Sequence, residues 1–161
     1  MELENRVAAL EAAVRALTER DSRGPLGELE GELWLLEELQ QRHPEGAVMF
    51  AGHLTVADGP AAWQWGRPAE ALLTGDWQDS AGPLSALGHP VRLRLLQLVL
   101  TGTQTTAELA EDEGLGTTGQ LHHHLRALIA AGWLQSSGRG HYSVPPQRVV
   151  PLLVIVTATQ G

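Results

Sequence analysis

TTAELAEDEGLGTTGQLHHHLRALIAAGWL, residues 105–134, decides the fold. Thr105 stands three positions ahead of Glu108, and Thr117 three ahead of Gln120. A threonine hydroxyl at a helix start accepts from the backbone N–H three residues on, and a Glu or Gln there reaches back to the threonine N–H. The stretch therefore predicts two helix starts, with a first helix running to about Glu113. Gly114-Leu115-Gly116 predicts a tight turn between them. The second helix is expected to end at Ala130-Ala131-Gly132, where glycine accepts the left-handed position beyond a helix.

The face of the second helix follows from its pitch. At about 100° per residue, Leu121, Leu125 and Leu128 fall within roughly 60° and face a core. Gly119, His123 and Arg126 lie opposite, flanked by Gln120 and His122. Gln, His and Arg side chains hydrogen-bond base edges and phosphates, and Gly119 allows close backbone approach. His124 lies near the core edge and reads as a half-buried residue bonded to backbone. Three successive helical residues point about 100° apart, so His122, His123 and His124 do not converge on one ion, and no metal site is expected.

Working outward, residues 133–136 and 141–144 read as two strands around the tip Ser137-Gly138-Arg139-Gly140. Arg139 is placed to reach phosphate or minor groove, with His141 and Tyr142 beside it. Upstream, residues 84–87 and 91–100 read as helices parted by Gly88-His89-Pro90, and Thr101-Gly102-Thr103 stops the second. The helix starts at Thr105, Thr106, Thr117 and Thr118 offer backbone N–H groups to phosphate. Helices, a glycine turn, a helix and a hairpin make a winged helix-turn-helix over 84–144.

LSALGHPVRLRLLQLVL (84–100), residues 105–134 and SGRGHYSV (137–144) resemble the ArsR-like winged-helix regulators. The resemblance covers roughly 60 of the 161 residues. It implies a homodimer on a pseudo-palindromic operator in double-stranded DNA, most often as a repressor, with the second helix as reader and the hairpin as wing. It also implies that the C-terminal segment, 145–161, helps to dimerise through Leu152, Leu153 and Ile155. Many relatives sense metals through Cys in the first helix of the pair or through Asp and His on the C-terminal helix. Neither set occurs here, so no metal and no cofactor is expected.

Charge first argues against DNA, because the chain carries a formal −8. Its distribution reverses that reading. Residues 1–46 hold eleven acids and five Arg, whereas residues 84–144 hold four of each and five of the seven His. A neutral reading domain implies modest, salt-sensitive affinity that leans on dimerisation. The chain contains no Cys, which excludes disulfides and thiolate metal sites. No signal peptide or spanning segment is expected, and the location read from the sequence is cytoplasmic.

The remaining sequence divides into an N-terminal helical part, 1–46, and a hairpin and linker part, 47–83. Leu3, Val7, Leu10, Val14 and Leu17 are spaced 4, 3, 4, 3, which predicts a short parallel two-stranded coiled coil. A second helix is expected at about 28–42, with Leu29, Leu33, Leu36 and Leu39 in one stripe. AVMFAGHLTV (47–56) predicts a strand with Phe50, Leu54 and Val56 on one face, turning at Asp58-Gly59 and returning with Trp63 and Trp65. Pro68 opens a short helix to about Leu73, and 74–83 reads as linker. The overall expectation is an α+β, mostly helical chain, with a winged helix-turn-helix behind an N-terminal coiled-coil helix and a β-hairpin region. The hairpin leaves room for a small-molecule or protein effector. No P-loop, dinucleotide fingerprint or nucleophile elbow occurs, so an enzyme is not expected. The alternative is a winged helix reused for protein docking within a larger complex, whose face would be more apolar than Gln120, His122, His123, Arg126 and Arg139.

Overall fold

The structure is a computed structural model that describes Val7 and residues 34–160. Leu3, Leu10, Val14 and Leu17 of the expected coiled coil lie outside the described residues, as do Leu29 and Leu33; Val7 is helical and exposed. Helix α1 (Trp34–Arg42) belongs to a unit distinct from Glu45–Gln160. None of its residues is buried, and Arg42 pairs with Glu38 one turn back.

Within Glu45–Gln160 the chain opens with an antiparallel hairpin, β1 (Ala47–Val56) and β2 (Gly59–Pro68). Phe50 pairs with Trp65, Gly52 with Trp63 and Leu54 with Ala61. These residues share one pleat face. The turn residues are Ala57 and Asp58, one position earlier than the Asp58-Gly59 expectation, because Gly59, at φ 117°, already pairs with Val56. Helix α2 (Ala69–Leu73) follows.

The expected linker is largely helical. A 3-10 turn at Trp77–Ser80 leads into α3 (Ala81–Leu87). The Trp77 indole donates to the Leu72 carbonyl and the Asp76 carboxylate caps the turn, so side chains replace the periodic pattern that would have announced it. Helix α4 (Pro90–Thr101) is capped by His89, whose Nδ1 accepts from the Val91 N–H, and ends at left-handed Gly102.

Helix α5 (Thr106–Leu109) is much shorter than expected. The Asp112 carboxylate accepts from the Gly114 N–H and starts a separate 3-10 turn, Glu113–Leu115. Helix α6 (Thr118–Ala130) then runs thirteen residues, and both capping boxes are formed. Strands β3 (Gln135–Gly138) and β4 (His141–Ser143) make the wing, and α7 (Pro146–Ala158) closes the chain.

The core joins these parts. Leu95, Leu96 and Val99 of α4, Leu109, Leu115, the three α6 leucines, Trp133 and Val149 form one buried cluster with Ala61 of the hairpin. The Trp133 indole donates to the Pro83 carbonyl, and the Arg148 guanidinium lies 5.0 Å above its ring. Hairpin residues pack on α7: a Cβ at Gly52 would stand 2.7 Å from Val150 Cγ1. Leu152, expected at a dimer surface, is instead buried within its own chain, because the hairpin and α4 enclose that side of the helix; Leu153 and Ile155 remain half-buried.

Candidate nucleic-acid interface

Helix α6 is positioned by its leucines. Leu121, Leu125 and Leu128 are each 1% exposed or less, which fixes the rotation of the helix and turns the opposite face outward. Thr118, Gly119, His122, His123 and Arg126 are all exposed there. Thr117 Oγ1 accepts from the Gln120 N–H, and Gln120 Oε1 accepts from the Thr117 N–H at 2.8 Å. Gln120 therefore serves as a cap, with its carbonyl oxygen engaged, rather than as a free reader of base edges. Gly116, at φ 77°, is required beside it: a Cβ there would run into Gln120 Oε1. The N–H groups of Thr118 and Gly119 precede the first intrahelical bond, so they point outward to any acceptor.

The other expected phosphate site is built differently. Glu108 Oε2 accepts from the N–H groups of Gln104 and Thr105 and from the Thr105 hydroxyl. The Thr105 N–H, followed by its hydroxyl and the Gln104 N–H, holds the Glu108 carboxyl below its ordinary range. A carboxylate already occupies this helix start, and it engages both the N–H and the hydroxyl of Thr105. Thr106 is tied inward, its N–H and hydroxyl both donating to the Gly140 carbonyl.

The wing presents Arg139 at its tip, exposed, in the left-handed region at φ 51° between Gly138 at 93° and Gly140 at 72°. Flanking glycines accept such dihedrals at little cost, and that is what a three-residue left-handed tip needs. His141 opens β4 beside the tip, opposite Gly138, half-buried, with Nδ1 3.0 Å from Ser137 Oγ and a bridge to Thr105. Tyr142 is buried, so it belongs to the core and leaves the exposed set: alternation along β4 turns its ring inward.

His124 is half-buried but forms no backbone bond at Nδ1, which is buried without a partner among the described residues. Its ring lies 4.5 Å from His89 and 5.5 Å from His123. Burial, then the charges of His89, His123 and Arg92, lower its pKa. Among the described residues no group of three His, Asp or Glu is arranged to hold a metal ion.

No family model matches the chain. Over 73 residues it is 36% identical to a probable mercury resistance operon repressor of Streptomyces lividans. The match takes in 44% of this chain and 58% of that relative's length. Among solved structures, Rv0081 of M. tuberculosis is similar over 52% of this chain and 85% of its own, with 23% identity and a TM-score of 0.43. Helices α4, α5 and α6 with the β3–β4 hairpin form a winged helix-turn-helix. In this winged helix, neither Arg126 nor Arg139 is paired with an acid among the described residues. Arg94, by contrast, donates through Nη2 to Asp112 Oδ2 at 2.9 Å, tying α4 to the turn ahead of α6. That pair spans 18 positions, and no local pattern announced it.

Proposed function

We propose that the chain is a sequence-specific regulator that binds double-stranded DNA as a homodimer on a pseudo-palindromic operator, acting as a repressor and not as an enzyme. One observation carries this reading. Helix α6 turns Gly119, His122, His123 and Arg126 outward with two N–H groups at its start, and the cations Arg126 and Arg139 stand without acidic partners among the described residues. Helix N–H groups and arginines hold phosphates, and side chains at the start of a reading helix reach base edges. The partial likeness to a protein named as a repressor supports the same reading. In a dimer, two such helices would meet half-sites about one helical turn, roughly 34 Å, apart. Repression would follow from occupying a promoter.

The test is fluorescence anisotropy on DNA from the chain's own upstream region. Wild type should bind with an affinity that falls steeply with salt. Arg126→Ala should weaken specific binding by about 1–3 kcal/mol if it reaches a base. Arg139→Ala should weaken binding to all sequences and flatten the salt slope by about one unit. Absence of binding at about 50 mM salt, where phosphate attraction is strong, would overturn the reading. The docking-module reading would then stand, and the exposed Trp63 and Trp65 in the middle of β2 favour it.

A further inference from the structure

A cavity of about 650 Å³ opens between the end of β1, one face of α4 and the C-terminal helix α7. Leu54 and Val56 wall it from the strand, Leu93 and Leu100 from α4, and Leu153 and Val156 from α7. Small-molecule sites are typically roughly 300–1,000 Å³, apolar, with a few convergent polar groups. The polar groups here converge on α4. Arg94 and Gln97 lie one turn apart, and Arg94 Nη1 donates to Gln97 Oε1 at 3.2 Å. Among the described residues Arg94 is the one ionised side chain in the lining, and no acid lines it, in a chain whose overall charge is −8. The guanidinium stands half exposed at the rim, and its acid partner, Asp112, belongs to the turn ahead of α6 and caps it through the Gly114 N–H.

We propose that this cavity receives a small amphipathic monoanion, an apolar body with a single carboxylate, and that the carboxylate takes Arg94 from Asp112. The apolar body fills the space between α4, α7 and β1. The headgroup meets a guanidinium, whose planar fork matches a carboxylate in two parallel hydrogen bonds. Charge complementarity selects this occupant: three apolar walls ask for a hydrocarbon, and the lone cation at the mouth asks for an anion. Releasing Asp112 removes the tie between α4 and the turn that sets the start of the reading helix. The site is thus coupled to the DNA face through one ion pair. The coupling rests on the function proposed above, but the binding does not.

Isothermal titration calorimetry on the full chain uses decanoate as the probe and 1-decanol as its uncharged counterpart. Decanoate is expected to bind one to one, and decanol about tenfold or more weaker, the value of a charge-assisted pair. Arg94→Gln should erase the difference while leaving decanol binding in place. Asp112→Asn, which removes the competitor, should tighten decanoate. Leu153→Trp and, from the more exposed strand edge, Thr55→Trp should abolish binding of both probes while each variant still melts cooperatively. Decanoate should also weaken DNA binding of wild type and leave that of Asp112→Asn unchanged. No saturable decanoate binding, unaltered preference in Arg94→Gln, or binding that survives both tryptophan variants would overturn the proposal. So would a wild-type dimer in sedimentation that Thr55→Trp dissociates and decanoate does not enter, because the cavity would then be covered by a second copy. If decanoate binds as expected and DNA does not, the functional reading fails and the site stands.

Discussion

Helices α6 and α7 have the same length, thirteen residues each, and opposite construction. Helix α6 opens with a full capping box, buries three leucines on one stripe and offers a polar face of Gly, His and Arg. Helix α7 opens with prolines and no side-chain cap, holds Pro151 inside, and is apolar nearly all round from Val149 to Val156. A helix with one apolar stripe needs one packing partner; a helix apolar on all sides needs partners on all sides. The hairpin and α4 cover part of α7, and the cavity lies where that cover ends. One helix is finished and turned outward, and the other is held between elements.

Truncation of the α6 stripe should produce the largest effect. Leu128→Ala removes a fully buried side chain and should cost about 2–5 kcal/mol in urea unfolding. Leu152→Ala on α7 should cost a comparable amount, and a cost near zero would mean that α7 contributes little to the shared core.

Gly52→Ala addresses the seam between hairpin and α7 directly. Its Cβ would lie 2.7 Å from Val150 Cγ1, and Val150 is buried, so overpacking should cost about 1–3 kcal/mol by thermal or chemical unfolding. An unchanged stability would show that the hairpin lifts off α7 without penalty.

The smallest effect is pH dependence at the edge of α6. Burial first, and then His89, His123 and Arg92, lower the His124 pKa, so the folded state prefers the neutral ring. Below the ordinary imidazole value of 6.5 the unfolded chain takes up the proton first. The contribution of His124 is therefore present above that pH and is lost as pH falls through the lowered folded value. Urea midpoints should decline in that window, and His124→Leu should flatten the decline.

The contrast also marks where the sequence is legible. Capping boxes and leucine spacing are local, so the start of α6 and its buried face could be read directly. The hairpin could be read from alternation. What escaped was set by contacts at a distance or by competition for one side chain. The early end of α5 depends on the Asp112 carboxylate turning onto the Gly114 N–H. Gln120 belonged to a recognised cap and to the reading face at once, and its oxygen serves only the cap. Leu152 looked like an interface residue because an apolar helix needs cover, and nothing in its own segment told that the hairpin supplies it. Residues 74–83 lacked apolar periodicity, yet the Trp77 indole and Asp76 carboxylate fold them locally.

Gln104 has a consequence beyond the wing it borders. Its side chain donates to Asp58 in the hairpin turn, its N–H to Glu108 of α5, and its carbonyl accepts from the Tyr142 N–H in the wing. Close by, the Ala57 N–H donates to the Leu100 carbonyl. Three segments far apart along the chain are thus latched at one residue. Amide protons of Tyr142 and Ala57 would then exchange with deuterium in step, as members of one opening unit, so that loosening the hairpin turn unlatches the wing.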